Sequence, residues 1–229
     1  ADPAKVLRIA FPAAETGFDP VRVSDAYSNT INEAIFERLL GYDFLARPAK
    51  LVPEVAESMP EVTDNGRTYT FRIRKGVHFT PDPAFGGKPR ELTADDFVYT
   101  FKRFVDPKNR SPWAFMLEGR IEGLDELDEA AKRHGRFAYD APIRFRLKQP
   151  NHVFLYTLAH SPFGAMAREV VDKYGDDLAA HPVGTGPYVL KEWKRASKIV
   201  LEANPDYRGF TWDFAPADAE RDAAIVALM

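Results

Sequence analysis

Three stretches of the chain alternate apolar and polar residues with the period of a half-buried strand. Over residues 6–11, Leu7, Ile9 and Phe11 share a face. Over 69–74 the apolar face is Tyr69, Phe71 and Ile73, with Arg72 and Arg74 opposite, and residues 143–148 repeat the arrangement with Arg144, Arg146 and Lys148. A strand pair is predicted at 186–193 and 199–203. Between these lie segments with helical spacing. Residues 28–40 carry Ile31, Ala34, Ile35 and Leu39 on one face, and Gly41 is placed to stop the helix. Thr93 and Asp96 have capping-box spacing. The helix they open should bury Phe97, Phe101, Phe104 and Val105 and close at Asp106-Pro107. A further helix is predicted over about 166–174, ending at Gly175. The last segment, 217–229, reads as an amphipathic helix with Ala224, Ile225 and Leu228 on one side. It stops without a capping glycine or polar tail, which is the expectation for a cut chain.

Composition narrows the class. A chain of 229 residues buries roughly 70–75% of its unfolded surface, and 45% hydrophobic with 28% charged residues describes a folded globular chain. The net charge of -3, from 31 basic and 34 acidic side chains, gives no field for nucleic acid or an anionic membrane. With no cysteine, disulfides and Cys-ligated zinc are excluded, while the compartment stays open. The apolar runs at 153–159 and 223–229 are too short to span a bilayer. The chain opens Ala1-Asp2-Pro3 without a charged-then-apolar leader, so an exported protein would already have lost its signal peptide.

Candidate chemistry is sparse. Asp95 and Asp96 occupy adjacent helix positions, which do not share a face, and a first-turn acid serves the helix dipole. The five histidines, His78, His134, His152, His160 and His181, show no zinc-ligand spacing. Gly184-Thr185-Gly186 lacks the lysine of a phosphate loop and reads as a tight turn. The basic row of Arg72, Arg74, Arg144, Arg146 and Lys148 reads as a solvated sheet face balanced by acids of 125–129. No G-x-S-x-G elbow is present, so a hydrolase has no visible nucleophile.

Three segments together carry a resemblance. The first is Tyr69-Thr70-Phe71-Arg72-Ile73-Arg74-Lys75-Gly76-Val77-His78-Phe79 followed by Leu92-Thr93-Ala94-Asp95-Asp96-Phe97. The second is Pro182-Val183-Gly184-Thr185-Gly186-Pro187-Tyr188 leading to Asn204-Pro205-Asp206-Tyr207. The third is the opening strand, Phe18-Asp19-Pro20, and a helix with Glu37-Arg38-Leu39-Leu40-Gly41-Tyr42 at its end. In order and spacing they resemble the family 5 extracellular solute-binding proteins, receptors for peptides, nickel and related solutes. The chain departs from that family in a longer Pro/Gly-rich insertion at 81–90 and in its length, which is less than half of a family member.

The resemblance implies an α/β, periplasmic-binding-protein-like (type II) lobe with a mixed β-sheet flanked by helices and the second lobe absent. It divides into a discontinuous base subdomain, 1–44 and 165–229, and an inserted α/β subdomain, 45–164. It further implies the substrate-binding component of an ABC importer, extracytoplasmic, partnered by a membrane permease and a peptide or other small solute, with no cofactor. A non-transport sensing or protein-interaction module on the same fold stays open, and a hydrolase is the remoter alternative. The resemblance places the ligand contacts in cleft loops: Ser24, Asp25, Tyr27 and Ser28 after the first turn, Trp113 and Met116 as an apolar wall, His160 as the residue before a cleft loop, and Phe163 as an aromatic lid. Trp113 and Phe163 read equally as core. Surface that the missing part would cover is expected to promote self-association.

Overall fold

A computed structural model describes residues 5–44, 46–140, 146–209 and 223. Helix α2, Ala94–Val105, organises the centre and follows its pattern closely. The Thr93 backbone N–H and hydroxyl both donate to the Asp96 carboxylate, at 2.7 and 3.0 Å, and Arg90 grips the same carboxylate with two more bonds. Asp96 is thereby consumed as a structural acid, whereas Asp95 is exposed. The opposite face of α2 buries Phe97, Phe101, Phe104 and Val105, and the Phe104 ring stacks on Phe163 with centroids 4.7 Å apart.

Arg103, on the same helix, is an exception to the apolar rule. Its guanidinium is 2% exposed and meets the equally buried Asp19 through two hydrogen bonds, of 3.0 and 2.9 Å. Asp19 also accepts from the Val21 N–H at 3.1 Å, so one carboxylate folds its own turn and ties it to α2. A buried charge is tolerable only when paired and hydrogen-bonded in this way.

Helix α1 spans Ala26–Ile35, five residues short of the end predicted from its apolar spacing. Phe36 is extended, and the chain runs on into β1, Leu40–Tyr42, which pairs antiparallel with β2, Leu51–Pro53. Gly41 therefore sits in a strand opposite Val52 and does not cap a helix. The reason is a tertiary contact. The Gly186 N–H donates to the Ile35 carbonyl at 2.8 Å, satisfying an orphan acceptor at the end of α1. The approach is so close that a Cβ on Gly184 would lie 2.1 Å from the Ile35 carbonyl oxygen, and one on Gly186 2.7 Å from those of Ala34 and Ile35. Gly184-Thr185-Gly186 is an architectural joint.

The other strands pair as β3, Glu61–Thr63, with β4, Thr68–Thr70, and β5, Tyr188–Lys194, with β6, Lys198–Ala203. A bulge interrupts the last pair between Leu190 and Glu192, and Trp193 from it donates to Glu15 at 2.6 Å. Among the described residues the sheets are three separate two-stranded antiparallel pairs, where one mixed sheet was expected. Residues 6–11 also differ from expectation: no strand forms there, and Val6, Leu7 and Ile9 are 68%, 82% and 69% exposed. Alternation alone does not make a strand without a neighbouring backbone to bond. The pattern at 69–74 continues past β4 only as a bridge from Ile73 to Ala56. Residues 141–145 and most of the terminal 217–229 segment lie outside the described residues, while Leu147 bridges Ile121.

Helix α3, Leu124–His134, was not predicted, because only Leu124, Leu127 and Ala131 are buried on it. It is framed by left-handed glycines, Gly123 and Gly135, and the Gly123 N–H donates to Glu126 at 2.8 Å. Its Asp125 pairs with Lys148 as expected, but Arg146 turns to Asp64 and Glu122. Two short helices complete the set, α4, Phe154–Leu158, and α5, Arg168–Tyr174, which Gly175 ends. The 81–90 insertion packs on the surface of α5. The Tyr174 hydroxyl meets both Asp82 carboxylate oxygens, at 3.1 and 3.0 Å, and Arg90 spans Asp96 and Glu169.

Two expectations for stability follow. Asp19→Ala strands Arg103 in the core and should cost about 3–5 kcal/mol in urea unfolding, with the joint Asp19→Leu, Arg103→Met variant losing less. Gly184→Ala must push the 182–186 turn off α1 and should cost about 1–3 kcal/mol in the same assay.

Candidate ligand-binding face

The loop that precedes α1 is held by its own side chains. Asp25 is the N-cap of the helix: one carboxylate oxygen accepts from the Ser28 N–H at 2.8 Å, and the other from the Thr16 hydroxyl at 2.6 Å. Partial burial opposes ionisation of Asp25, but the hydrogen bonds from Ser28 and Thr16 outweigh it and hold the carboxyl below its ordinary range. Ser28 is fully buried and accepts from the Thr16 N–H at 3.0 Å. Tyr27 stacks on Phe11 at 4.9 Å, and Ser24 is exposed.

Trp113 joins this loop to a second segment. Its Nε1–H donates to the Val23 carbonyl at 2.7 Å, beside Ser24, and Ser111 donates to the Val21 carbonyl. The Trp113 ring also lies 4.9 Å from the His160 ring, which brings in the third predicted segment. Met116 is half-buried at the end of the turn that Trp113 opens, and the intervening Phe115 is 62% exposed. Phe163 lies elsewhere. It is 1% exposed and packed between Phe101 and Phe104, so it belongs to the core and cannot serve as a lid.

Beyond His160 a cavity of about 270 Å³ opens, lined by Glu33, Arg38, Tyr42, Ala159, His160 and Ser161. Sequence reasoning did not single out Glu33, Arg38 or Tyr42, which line this cavity. Arg38 and Tyr42 were read as part of the first helix and its end. Arg38 is anchored by two bonds to Glu54, of 2.9 and 3.0 Å, with Glu33 at 3.8 Å. Burial lowers the His160 pKa from its ordinary value, with Glu33 opposing the shift and Arg38 adding to it. The Nδ1 atom of His160 is buried and has no hydrogen-bond partner among the described residues. No group of three potential metal-ligating side chains occurs among the described residues.

These elements meet comparison with known proteins directly. The family described as bacterial extracellular solute-binding proteins, family 5 Middle, matches over residues 50–224. The chain belongs to this family. It is 33% identical, over 93% of its length, to Di/tripeptide-binding protein 2 of Pseudomonas aeruginosa, and spans 40% of that protein. The periplasmic binding protein DppA from Helicobacter pylori, solved in complex with peptide STSA, matches with a TM-score of 0.67 and 29% identity over 85% of this chain. Haemophilus influenzae OppA, solved in complex with RPPGFSPFR, gives a TM-score of 0.67 and 27% identity over 86%. This chain spans 38% and 37% of those two structures. The neighbours are type II periplasmic binding proteins, which fixes the fold class.

The lowered His160 pKa has a measurable consequence. A group that binds its proton less readily in the fold than in the unfolded chain favours folding above its unfolded pKa, and that contribution is lost as pH falls. The stability of the chain to thermal unfolding should therefore fall from pH 7 towards pH 5, and His160→Gln should flatten part of that slope. Identical slopes in both proteins would show that His160 protonates freely.

Proposed function

We propose that this chain is one lobe of an extracytoplasmic peptide receptor that delivers its ligand to an ABC importer, and that it binds without chemical turnover. The observation that carries this reading is the convergence at Trp113. One indole is hydrogen-bonded to the loop of Ser24, Asp25, Tyr27 and Ser28 and in ring contact with His160, so three separated segments share one face with Met116 beside it. The family of the chain and the peptides named for its relatives supply the ligand class.

In this reading the exposed Ser24 offers a polar group, Trp113 and Met116 form an apolar wall, and Asp25 and Ser28 fix the loop. Faces of this kind combine apolar lining with a few convergent polar groups. The division into a base, 1–44 with 165–229, and an inserted 45–164 is part of the same proposal. It is supported by bonds that knit the two base segments together: Gly186 to Ile35, Ala165 to Glu37 and Trp193 to Glu15. Ligand would bridge this lobe to a second one and stabilise the closed state, which the membrane permease reads. The exposed Val6, Leu7 and Ile9 support the expectation that the chain alone self-associates.

Two measurements test the proposal. The isolated 229-residue chain should bind trialanine only weakly in calorimetry, because one lobe supplies about half of the contacts; sub-micromolar affinity overturns the one-lobe reading. In the intact protein, Trp113→Ala should weaken tripeptide binding by about tenfold or more, and unchanged affinity removes this face from the site.

A further inference from the structure

The cavity beyond His160 carries a charge imbalance that the peptide-receptor reading does not use. Among the described residues three carboxylates, Glu33, Glu37 and Glu54, stand with two guanidiniums, Arg38 and Arg208, and of these five Glu33 and Arg38 line the cavity itself. Glu37 is 2% exposed and receives two bonds from Arg208, of 2.7 and 2.6 Å. Glu54 receives two from Arg38. Both pairs are bidentate and neutralise each other. Glu33 is left with one long contact of 3.8 Å to an Arg38 already committed, and its side chain is 54% exposed at the cavity wall. Burial lowers the pKa of His160 and so disfavours a positive charge there.

Aromatic surface borders the same space. Tyr42 lines the cavity and is 48% exposed, and Tyr156, 44% exposed, sits with its ring 6.2 Å away. A surplus carboxylate beside open aromatic faces suits an organic cation with an aliphatic stem. The charge meets Glu33, the stem lies along the rings, and the ring faces attract the cation further.

We infer that this cavity is a subsite for a basic side chain, Lys or Arg, of the bound peptide, with Glu33 as the residue that confers the preference. The inference rests on the peptide-receptor reading and refines it. An acidic side chain would meet Glu33 as a like charge, and a neutral one would forgo the attraction.

The test compares Lys-Ala-Ala, Ala-Lys-Ala and Ala-Ala-Lys with their norleucine counterparts, which keep the four-carbon stem without the charge, by calorimetry on the intact protein. At one of the three positions Lys should bind about fivefold more tightly than norleucine, the range of a partly solvated ion pair, and the preference should shrink as salt rises. Glu33→Gln should bring the two peptides to the same affinity, while Glu129→Gln, at an exposed position of α3, keeps the preference. Equal affinities in the unaltered protein, or a Lys preference that survives Glu33→Gln, overturn the subsite. Failure of all six peptides to bind overturns the peptide-receptor reading itself, and the subsite with it.

Discussion

The fold is organised around one expensive interaction, the Arg103–Asp19 pair. Two charges without solvent would cost several kcal/mol each if unmatched, and their attraction repays this only in good geometry. Here Arg103 presents two N–H groups to the two oxygens of Asp19 and a third contact to the Met166 sulfur. Those three residues come from the turn before α1, from α2 and from the chain leading to α5. A mismatch in any of these segments would unpair a charge, which makes the arrangement a strong filter on how they assemble. The loop that carries Ser24 and Asp25 follows Asp19 by only a few residues. Its position is set from the core as well as by its own side chains.

Local signals in the sequence were dependable where the chain solves its own problem. The capping box at Thr93 and Asp96, the buried phenylalanines of α2 and the stop at Gly175 depend on neighbours within a few residues, and the structure keeps all of them. The end of α1 was misread because its terminator, the 184–186 turn, is far away in sequence and donates through backbone. No side-chain pattern announces such a contact, although the paired glycines were its trace. Residues 6–11 show the converse: the alternation is real, yet strand formation needs a second backbone, and periodicity says nothing about whether one is present.

The site followed the same rule. Trp113, His160 and the loop at Ser24 were expected at the cleft because the resemblance places those loops there, and the structure brings the other two segments against the Trp113 indole. Phe163 was misplaced since a large aromatic before a turn has no local feature that separates lid from core. Glu33 and Arg38 were invisible for a different reason. Their significance lies in a charge count over five side chains from three parts of the chain, and that sum exists only once the chain is folded.

The 81–90 loop ties two helices together. Tyr174 and Glu169 of α5 hold it at Asp82 and Arg90, and the same Arg90 completes the cap of α2. These residues therefore act as a brace between α5 and α2. Shortening this loop to a plain turn would remove a support of α2, so a trimmed version would need a new partner for Asp96 before it could match the parent.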